Sequence, residues 1–250
     1  MKRILSLICL LAMACSLFAC GTSTPVETNQ PTTTAVPTET EKVYPEPDKL
    51  IALTFDDGPN RHMETIIDVF AQYGGKASFF VVGKKISGIE DIIARAFNEG
   101  HEIGNHSFNH ENMTEKTEDD ILQEISWTQT AVKNITGAAP VWYRAPFLAA
   151  NQLTYDLIDM PYAGSGVSAG DGSNDNLAED RIYRVTSGAY DGAIVLLHCN
   201  DITAEVLPEI LDNLKMQGYE FVTISELFAR KGVTPSGTVN FQYKDVNATE

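Results

Sequence analysis

A ten-residue stretch, Leu50-Ile-Ala-Leu-Thr-Phe-Asp-Asp-Gly-Pro59, constrains this chain more than any other. It opens as an apolar run and stops on Gly58-Pro59, the pattern of a buried strand ending in a turn. Two adjacent carboxylates, Asp56 and Asp57, close it. Successive strand side chains point to opposite faces, so both acids can address one site only where the strand finishes and the backbone turns. The C-terminal ends of buried parallel strands are where α/β barrels keep their chemistry. Taken alone, Asp-Asp-Gly is also ordinary turn chemistry, so the rest of the chain has to decide.

Strands and helices alternate from there. Asn60 is set to cap a helix through Tyr73, closed by Gly74-Gly75. Residues 77–82 read as a second strand. Ser87-Gly-Ile-Glu90 reads as a capping box opening a helix that stops at Gly100. Residues 102–105 form a third strand. Thr117 starts a helix with Ile121, Ile125, Val132 and Ile135 on one face, closed by Gly137. Residues 141–146 read as a fourth strand, 162–167 as a glycine-broken fifth, and 177–187 as a helix. A strand at 193–198, a helix at 204–217, a strand at 220–223 and a helix capped by Ser225 and running to Lys231 complete the pattern. Alternation at this spacing implies parallel strands with crossover helices. About seven parallel strands in one domain predict an α/β fold, a distorted and incomplete (β/α) barrel, over residues 49–232. Residues 233–250 are polar and unpatterned and read as a tail.

The N-terminus is Met1-Lys2-Arg3, then an apolar run over 4–17, then Leu17-Phe-Ala-Cys20. A short basic region followed by a short apolar one is a signal peptide, residues 1–19, rather than a membrane span. Leu17, Ala19 and Cys20 resemble a bacterial lipobox, which implies cleavage before Cys20, lipid on its sulfur, and a protein anchored on the extracytoplasmic face of the cell membrane. Cleavage removes Cys9 and Cys15. With Cys20 acylated, Cys199 is left with no disulfide partner. Residues 20–48 are rich in Thr and Pro and cannot bury enough surface to offset chain entropy, so they read as a disordered linker. The formal charge is −16, from 34 acidic and 18 basic residues. Such an excess argues against nucleic-acid binding, which needs Lys and Arg to neutralise phosphates.

Several residues with chemical potential fall at expected strand ends. His106-Ser-Phe-Asn-His110 follows the third strand. Two histidines four apart lie on one face of a helical turn, as two ligands of one metal must. Two His and one Asp are a common metal set, although the pair also fits two exposed polar side chains in a loop. Arg144, in Arg144-Ala-Pro-Phe147, can pair with an ionised carboxylate and hold it in place. His198 ends a buried strand and can serve as a general acid, or simply be a core histidine. Asp171, in a glycine-rich loop, can support it or be a turn residue.

Together, Thr54-Phe-Asp-Asp-Gly58, His106-Ser-Phe-Asn-His110, Arg144-Ala-Pro-Phe147 and Leu196-Leu-His198 resemble, in order, the motifs of the polysaccharide deacetylases with a NodB homology domain, carbohydrate esterase family four. The resemblance covers about residues 49–231. It implies a distorted barrel and metal-dependent removal of acetyl groups from an extracellular polysaccharide. Asp57, His106 and His110 would be ligands of one divalent ion, zinc first, with cobalt, manganese or nickel compatible. Asp56 would be the base that activates the attacking water, Arg144 its partner, and the Phe147 N–H an oxyanion contact. His198 would be the acid, supported by Asp171. The implied substrate is an N-acetylglucosamine polymer of the peptidoglycan or chitin type. An acetylxylan O-acetyl esterase is the alternative, and an inactive surface glycan-binding lipoprotein is an alternative of another class. A monomer is expected. There are departures: Gly172 stands where the family usually has Trp, Phe147 where Tyr is common, Leu148 where Gly is common, and Cys199 where an acidic or amide residue is frequent.

Overall fold

A computed structural model describes residues 42–172 and 177–247. The expected signal peptide, Cys20 and most of the linker lie outside the described residues. In chain order the elements are β1 (Lys49–Gly58), α1 (Arg61–Tyr73), β2 (Ser78–Val81), α2 (Glu90–Asn98), β3 (Glu102–Asn105), α3 (Glu118–Thr136), α4 (Gln152–Leu157), β4 (Tyr162–Ala163), β5 (Val167–Ser168), α5 (Ala178–Gly188), β6 (Ile194–His198), α6 (Asp201–Met216), β7 (Tyr219–Phe221), α7 (Ile224–Arg230) and β8 (Gln242–Tyr243). The main sheet runs β3-β2-β1-β6-β5, all parallel, with β7 paired to the first residues of β1. A second pair, β4 and β8, joins β3 only through single bridges at Tyr143. The result is the expected parallel α/β architecture, an open and distorted barrel.

The alternation of β1 sets up the site. Ile51, Leu53 and Phe55 pack with Ile66, Phe70, Leu207 and Leu211 in the layer between strands and helices. Leu50 and Ala52 turn the other way, into an inner cluster with Phe80, Trp142 and Ile194. Thr54 and Asp56 continue that inner face by the same period of two, and both are buried. The polar end of β1 therefore points into the barrel at the carboxyl ends of its strands.

Several local expectations are corrected. Residues 141–146 carry one bridge residue, Tyr143, paired with Asn105 on one side and Tyr162 on the other, rather than a strand; prolines at 140 and 146 bracket the segment and supply no N–H for a ladder. The expected strand over 162–167 splits into β4 and β5 around Gly164 and Gly166. Ser87 caps nothing: Ile89 is the N-cap of α2, and the Glu90 carboxylate accepts the Gly88 N–H instead. Thr223, not Ser225, caps α7; the Ser225 hydroxyl is taken by Glu102. Helix α6 starts at Asp201 under an Asn200 cap, earlier than expected. The expected tail folds back: β8 pairs with β4, Tyr243 and Val246 are buried, and Val239 and Phe241 pack on the inner cluster.

Gly104 in β3 is required by close approach. A Cβ there would lie 2.5 Å from Cδ1 and Cε1 of Phe80, a ring that is itself fully buried. That ring lies 4.2 Å from the guanidinium carbon of Arg144. We predict that Gly104→Ala costs about 1–3 kcal/mol, as overpacking of a rigid core does. Urea unfolding should show a lower midpoint at unchanged slope. An unchanged midpoint would mean that Phe80 yields freely.

Candidate active site

The two carboxylates of β1 reach one side because the strand is irregular between them. Pairing with β2 matches Asp56 to Phe80 and then Gly58 to Val81, skipping Asp57. Asp57 takes a left-handed backbone, φ 69°. The extra residue re-aims a side chain that would otherwise point towards the helices. Asp56 is buried and receives Arg144 Nη1 on Oδ1 at 2.8 Å. Arg144 is fully buried. It also donates to Thr54 Oγ1 (2.7 Å), the Ala163 carbonyl (3.2 Å) and the Gly164 carbonyl (2.9 Å).

Asp57, His106 and His110 offer ligand atoms that all lie within 4.8 Å of one another. His110 Nε2 is 3.3 Å and His106 Nε2 4.0 Å from Asp57 Oδ1. The other nitrogen of His106, Nδ1, is 2.8 Å from the Arg144 carbonyl. A carbonyl only accepts, so Nδ1 carries the proton and the Nε2 lone pair faces Asp57. Burial pushes the His106 pKa down, which keeps the ring neutral as ligation requires. A divalent cation that takes nitrogen and oxygen donors fits this set. The expected helical turn is absent, however. Residues 106–110 form a loop, with φ 61° at Ser107 and 58° at His110, and those two residues swing the rings together.

His198 ends β6 with its Cα paired to Asp56, so it flanks the same strand end. Its Nδ1 lies 2.8 Å from Asp171 Oδ1. Asp171 Oδ2 accepts the His198 N–H (2.8 Å) and the Thr203 hydroxyl (2.7 Å). Burial works to raise the Asp171 pKa, but these hydrogen bonds and the imidazole charge outweigh it, and the net direction is down. For His198 burial works downward, yet Asp171, with Asp56 and Asp57 behind it, brings the pKa above 6.5. A Cβ at Gly172 would sit 3.2 Å from His198 Cε1, so this backbone lies against the imidazole. Behind Thr203, the fully buried Arg181 donates to its hydroxyl (2.9 Å) and to Asn200 Oδ1 (2.6 Å).

Phe147 and Leu148 turn the chain after Arg144 with φ 60° and 54°. The turn uses the N–H groups of Leu148 and Ala149, not that of Phe147. The exposed Phe147 ring packs edge-on to His110, centroids 4.9 Å apart. Gln242 of β8 donates to the Leu148 carbonyl at 2.8 Å. Among the described residues, every non-glycine with positive φ (Asp57, Ser107, His110, Phe147 and Leu148) belongs to these loops. Each such conformation costs on the order of 1–3 kcal/mol and clusters where function over-determines the backbone.

The structure thus gathers Asp56, Asp57, His106, His110, Arg144, Phe147, His198 and Asp171 at one end of the barrel. Cys199 is buried, and burial pushes its thiol well up, as suits a small core residue. His101 is a core residue too: it accepts the Ala77 N–H, and burial pushes its pKa down to about 4. Sequence reasoning missed Thr54, Thr203, Arg181, Glu124 and Gln242. Thr54 carried a usable signal, being two residues before Asp56 on a strand, and Gln242 a fainter one, in an alternating C-terminal segment.

Residues 44–163 match the family model described as polysaccharide deacetylase. A bifunctional xylanase/deacetylase from Pseudobutyrivibrio xylanivorans is 40% identical over 78% of this chain, which spans 32% of that relative's length. A peptidoglycan-N-acetylglucosamine deacetylase from Bacillus cereus is 34% identical over 75% of this chain and 92% of its own. Among solved structures, a family 4 acetyl xylan esterase from Clostridium thermocellum in complex with a cobalt ion superposes with a TM-score of 0.77. It is 37% identical, over 80% of this chain and all of that one (100%).

The His198–Asp171 pair makes a pH-dependent contribution with a defined sign. Asp171 has a depressed pKa, so its contribution is present above its ordinary value of 3.8 and is lost as pH falls through the lower folded value. His198 has a raised pKa, so its contribution is present below 6.5 and is lost as pH rises through the higher folded value. We predict that Asp171→Asn moves the His198 pKa below that of the parent protein, read by NMR titration of its ring protons in metal-free protein. An unmoved titration would detach Asp171 from the proton chemistry of His198.

Proposed function

Since the chain belongs to the polysaccharide deacetylase family, we propose that it hydrolyses acetyl groups from a polysaccharide with the help of one divalent metal ion, and that its substrate is an N-acetylglucosamine polymer. The observation that carries this reading is the convergence, at one end of the barrel, of three ligand atoms with two separately held proton carriers. Asp57, His106 and His110 would hold the ion, zinc first by ligand type, with cobalt, manganese or nickel also compatible. When bound, such an ion supplies Lewis acidity, lowering the pKa of a coordinated water and polarising the acetyl carbonyl.

The chain's own groups divide the remaining work. Asp56 has Oδ1 locked by Arg144, while Oδ2 lies 3.8 Å from His106 Nε2 and faces the ligand set. It is the base that takes a proton from the attacking water. Phe147 offers its N–H to the developing oxyanion. His198 enters as imidazolium. Its Nδ1–H is held by Asp171, and the Nε2 proton passes to the leaving nitrogen as the C–N bond breaks, giving acetate and a free amine. An amine leaves poorly unprotonated, so a placed acid matters more for an amide than for an ester. The Leu17-Phe-Ala-Cys20 stretch supports export and lipid anchoring, and a substrate outside the cell fits that location.

A second reading is O-deacetylation of xylan. The likeness to the Pseudobutyrivibrio and Clostridium proteins favours it, and Gly172 leaves the flank of His198 without a side chain. Acetate release from chito-oligosaccharide and from acetylxylan, side by side and with a chelated control, separates the two. Chelator-sensitive release from the chito-oligomer is expected; release from acetylxylan alone transfers the assignment to the ester. Asp56→Asn should retain metal and fold while turnover falls about 10²–10⁴-fold, the usual worth of a positioned base. A nearly unaffected rate would remove Asp56 from that role. His110→Ala should lose most metal affinity in a direct titration; unchanged stoichiometry and affinity would break the ligand set.

A further inference from the structure

The loop between the two histidine ligands has no regular structure, yet its polar backbone is satisfied group by group. The Ser107 N–H goes to Asn105 Oδ1 (2.9 Å) and the His110 N–H to Ser107 Oγ (3.0 Å). The carbonyls of Ser107 and Phe108 accept the N–H groups of Gly83 (3.0 Å) and Lys84 (2.9 Å), and that of Asn109 accepts Lys84 Nζ (2.6 Å). The two N–H groups at the crown, Phe108 (2.9 Å) and Asn109 (2.7 Å), both donate to one oxygen, Oε2 of Glu124 on α3. Oε1 of the same carboxylate takes the Asn109 side-chain amide at 2.5 Å. Glu124 is buried in a helix that presents mostly apolar residues inward. A lone buried carboxylate is unfavourable unless hydrogen-bonded, and this one is directed wholly at the loop.

Ser107 and His110 hold left-handed conformations that their own residue types disfavour, so the loop's shape has to be imposed from outside. The turn at Gly83–Lys85 imposes it on the carbonyl side through the N–H groups of Gly83 and Lys84 and the Lys84 ammonium. It packs so closely that a Cβ at Gly83 would fall 2.5 Å from Phe108 and 2.4 Å from Thr128, one turn after Glu124 on α3. On the N–H side the crown rests on a single side chain. We propose that Glu124 is a positioning residue for the metal site, its carboxylate fixing the crown of the loop so that His106 and His110 are preset to bind one cation with Asp57. This rests on the reading of Asp57, His106 and His110 as the metal ligands.

Two substitutions separate reach from charge. Glu124→Gln keeps one oxygen acceptor for the two crown N–H groups and loses the charge, while its NH2 replaces the acceptor of the Asn109 side chain, whose own amide can rotate to present Oδ1. Glu124→Asp keeps the charge and withdraws the acceptor by one methylene. The affinity of the metal-free protein for Zn²⁺, measured by competition with a chelating dye, should fall about 10-fold or more in Glu124→Asp, the scale typical of partners behind a ligand. In Glu124→Gln it should stay within about threefold of the parent, on that same scale. Thermal midpoints of the metal-free proteins, taken in parallel, should leave both variants folded at the titration temperature. Parent-like affinity in Glu124→Asp, or an equal loss in both variants, overturns the proposal; the latter outcome assigns the effect to charge. A parent protein that takes up no Zn²⁺ defeats the metal reading itself, a result distinct from either.

Discussion

Arg144 is fully buried, and its side chain and its backbone hold different parts of the site. Four of its N–H groups reach Asp56, Thr54 and the carbonyls of Ala163 and Gly164, and its own carbonyl fixes the tautomer of His106. The guanidinium is seated on the Phe80 ring, which in turn requires the bare backbone of Gly104. A buried ion pair adds little net stability over an apolar core, but breaking one by removing a partner costs about 3–5 kcal/mol because an uncompensated charge remains. The pair therefore specifies a geometry more than it adds stability. It ties Asp56 and His106 to a single residue, so neither moves without the other.

The strain in the surrounding loops follows from what they have to do. Two neighbouring acids cannot serve one site from a regular strand, so Asp57 is bulged and left-handed. Two histidines four apart outside a helix cannot converge without similar turns, so Ser107 and His110 adopt them. Phe147 and Leu148 turn in the same manner, which leaves the Phe147 N–H outside the turn's own hydrogen bonds. Rigid neighbours keep these conformations in place: Glu124 and the Gly83–Lys85 turn around the histidine loop, and Gln242 beneath Leu148. A site assembled this way is preorganised, since the cost of its unusual backbone is met on folding rather than on binding.

Most elements were legible because burial writes a period of 2 or 3.6 into the sequence. The site residues were legible because chemistry-bearing side chains recur at strand ends. What failed depended on partners distant in sequence. Ser225 looks like an N-cap, but Glu102 claims its hydroxyl, so Thr223 caps the helix. Ser87 and Glu90 fit a capping box, yet Gly88, at φ 89°, turns the chain so that neither half of it forms and Glu90 takes the Gly88 N–H rather than that of Ser87. The histidine pair read as a helical turn because spacing alone cannot distinguish a helix from a loop that converges by strain. The C-terminal segment did carry a signal: Val239, Phe241 and Tyr243 alternate with Asn240 and Gln242, the period of a half-buried strand. Its polar composition hid that alternation, and with it Gln242.

The same alternation that builds the core also orders the chemistry. The inner face of β1 reads Leu50, Ala52, Thr54 and Asp56, passing from apolar packing to a hydroxyl and then to a carboxylate that meet one guanidinium. Each step places a more polar group nearer the open end, where its charge can be matched. A regular strand would send the next residue, Asp57, out towards α1, into an apolar layer with no cation to receive it. The bulge resolves that conflict by directing the second carboxylate to His106 and His110. Two chemically identical side chains, adjacent in sequence, thus have different partners: Asp56 is buried against Arg144, while Asp57 is a third exposed and lies against the histidines. That difference in environment, which the proposed division into cation ligand and base needs, originates in a single residue of strand register.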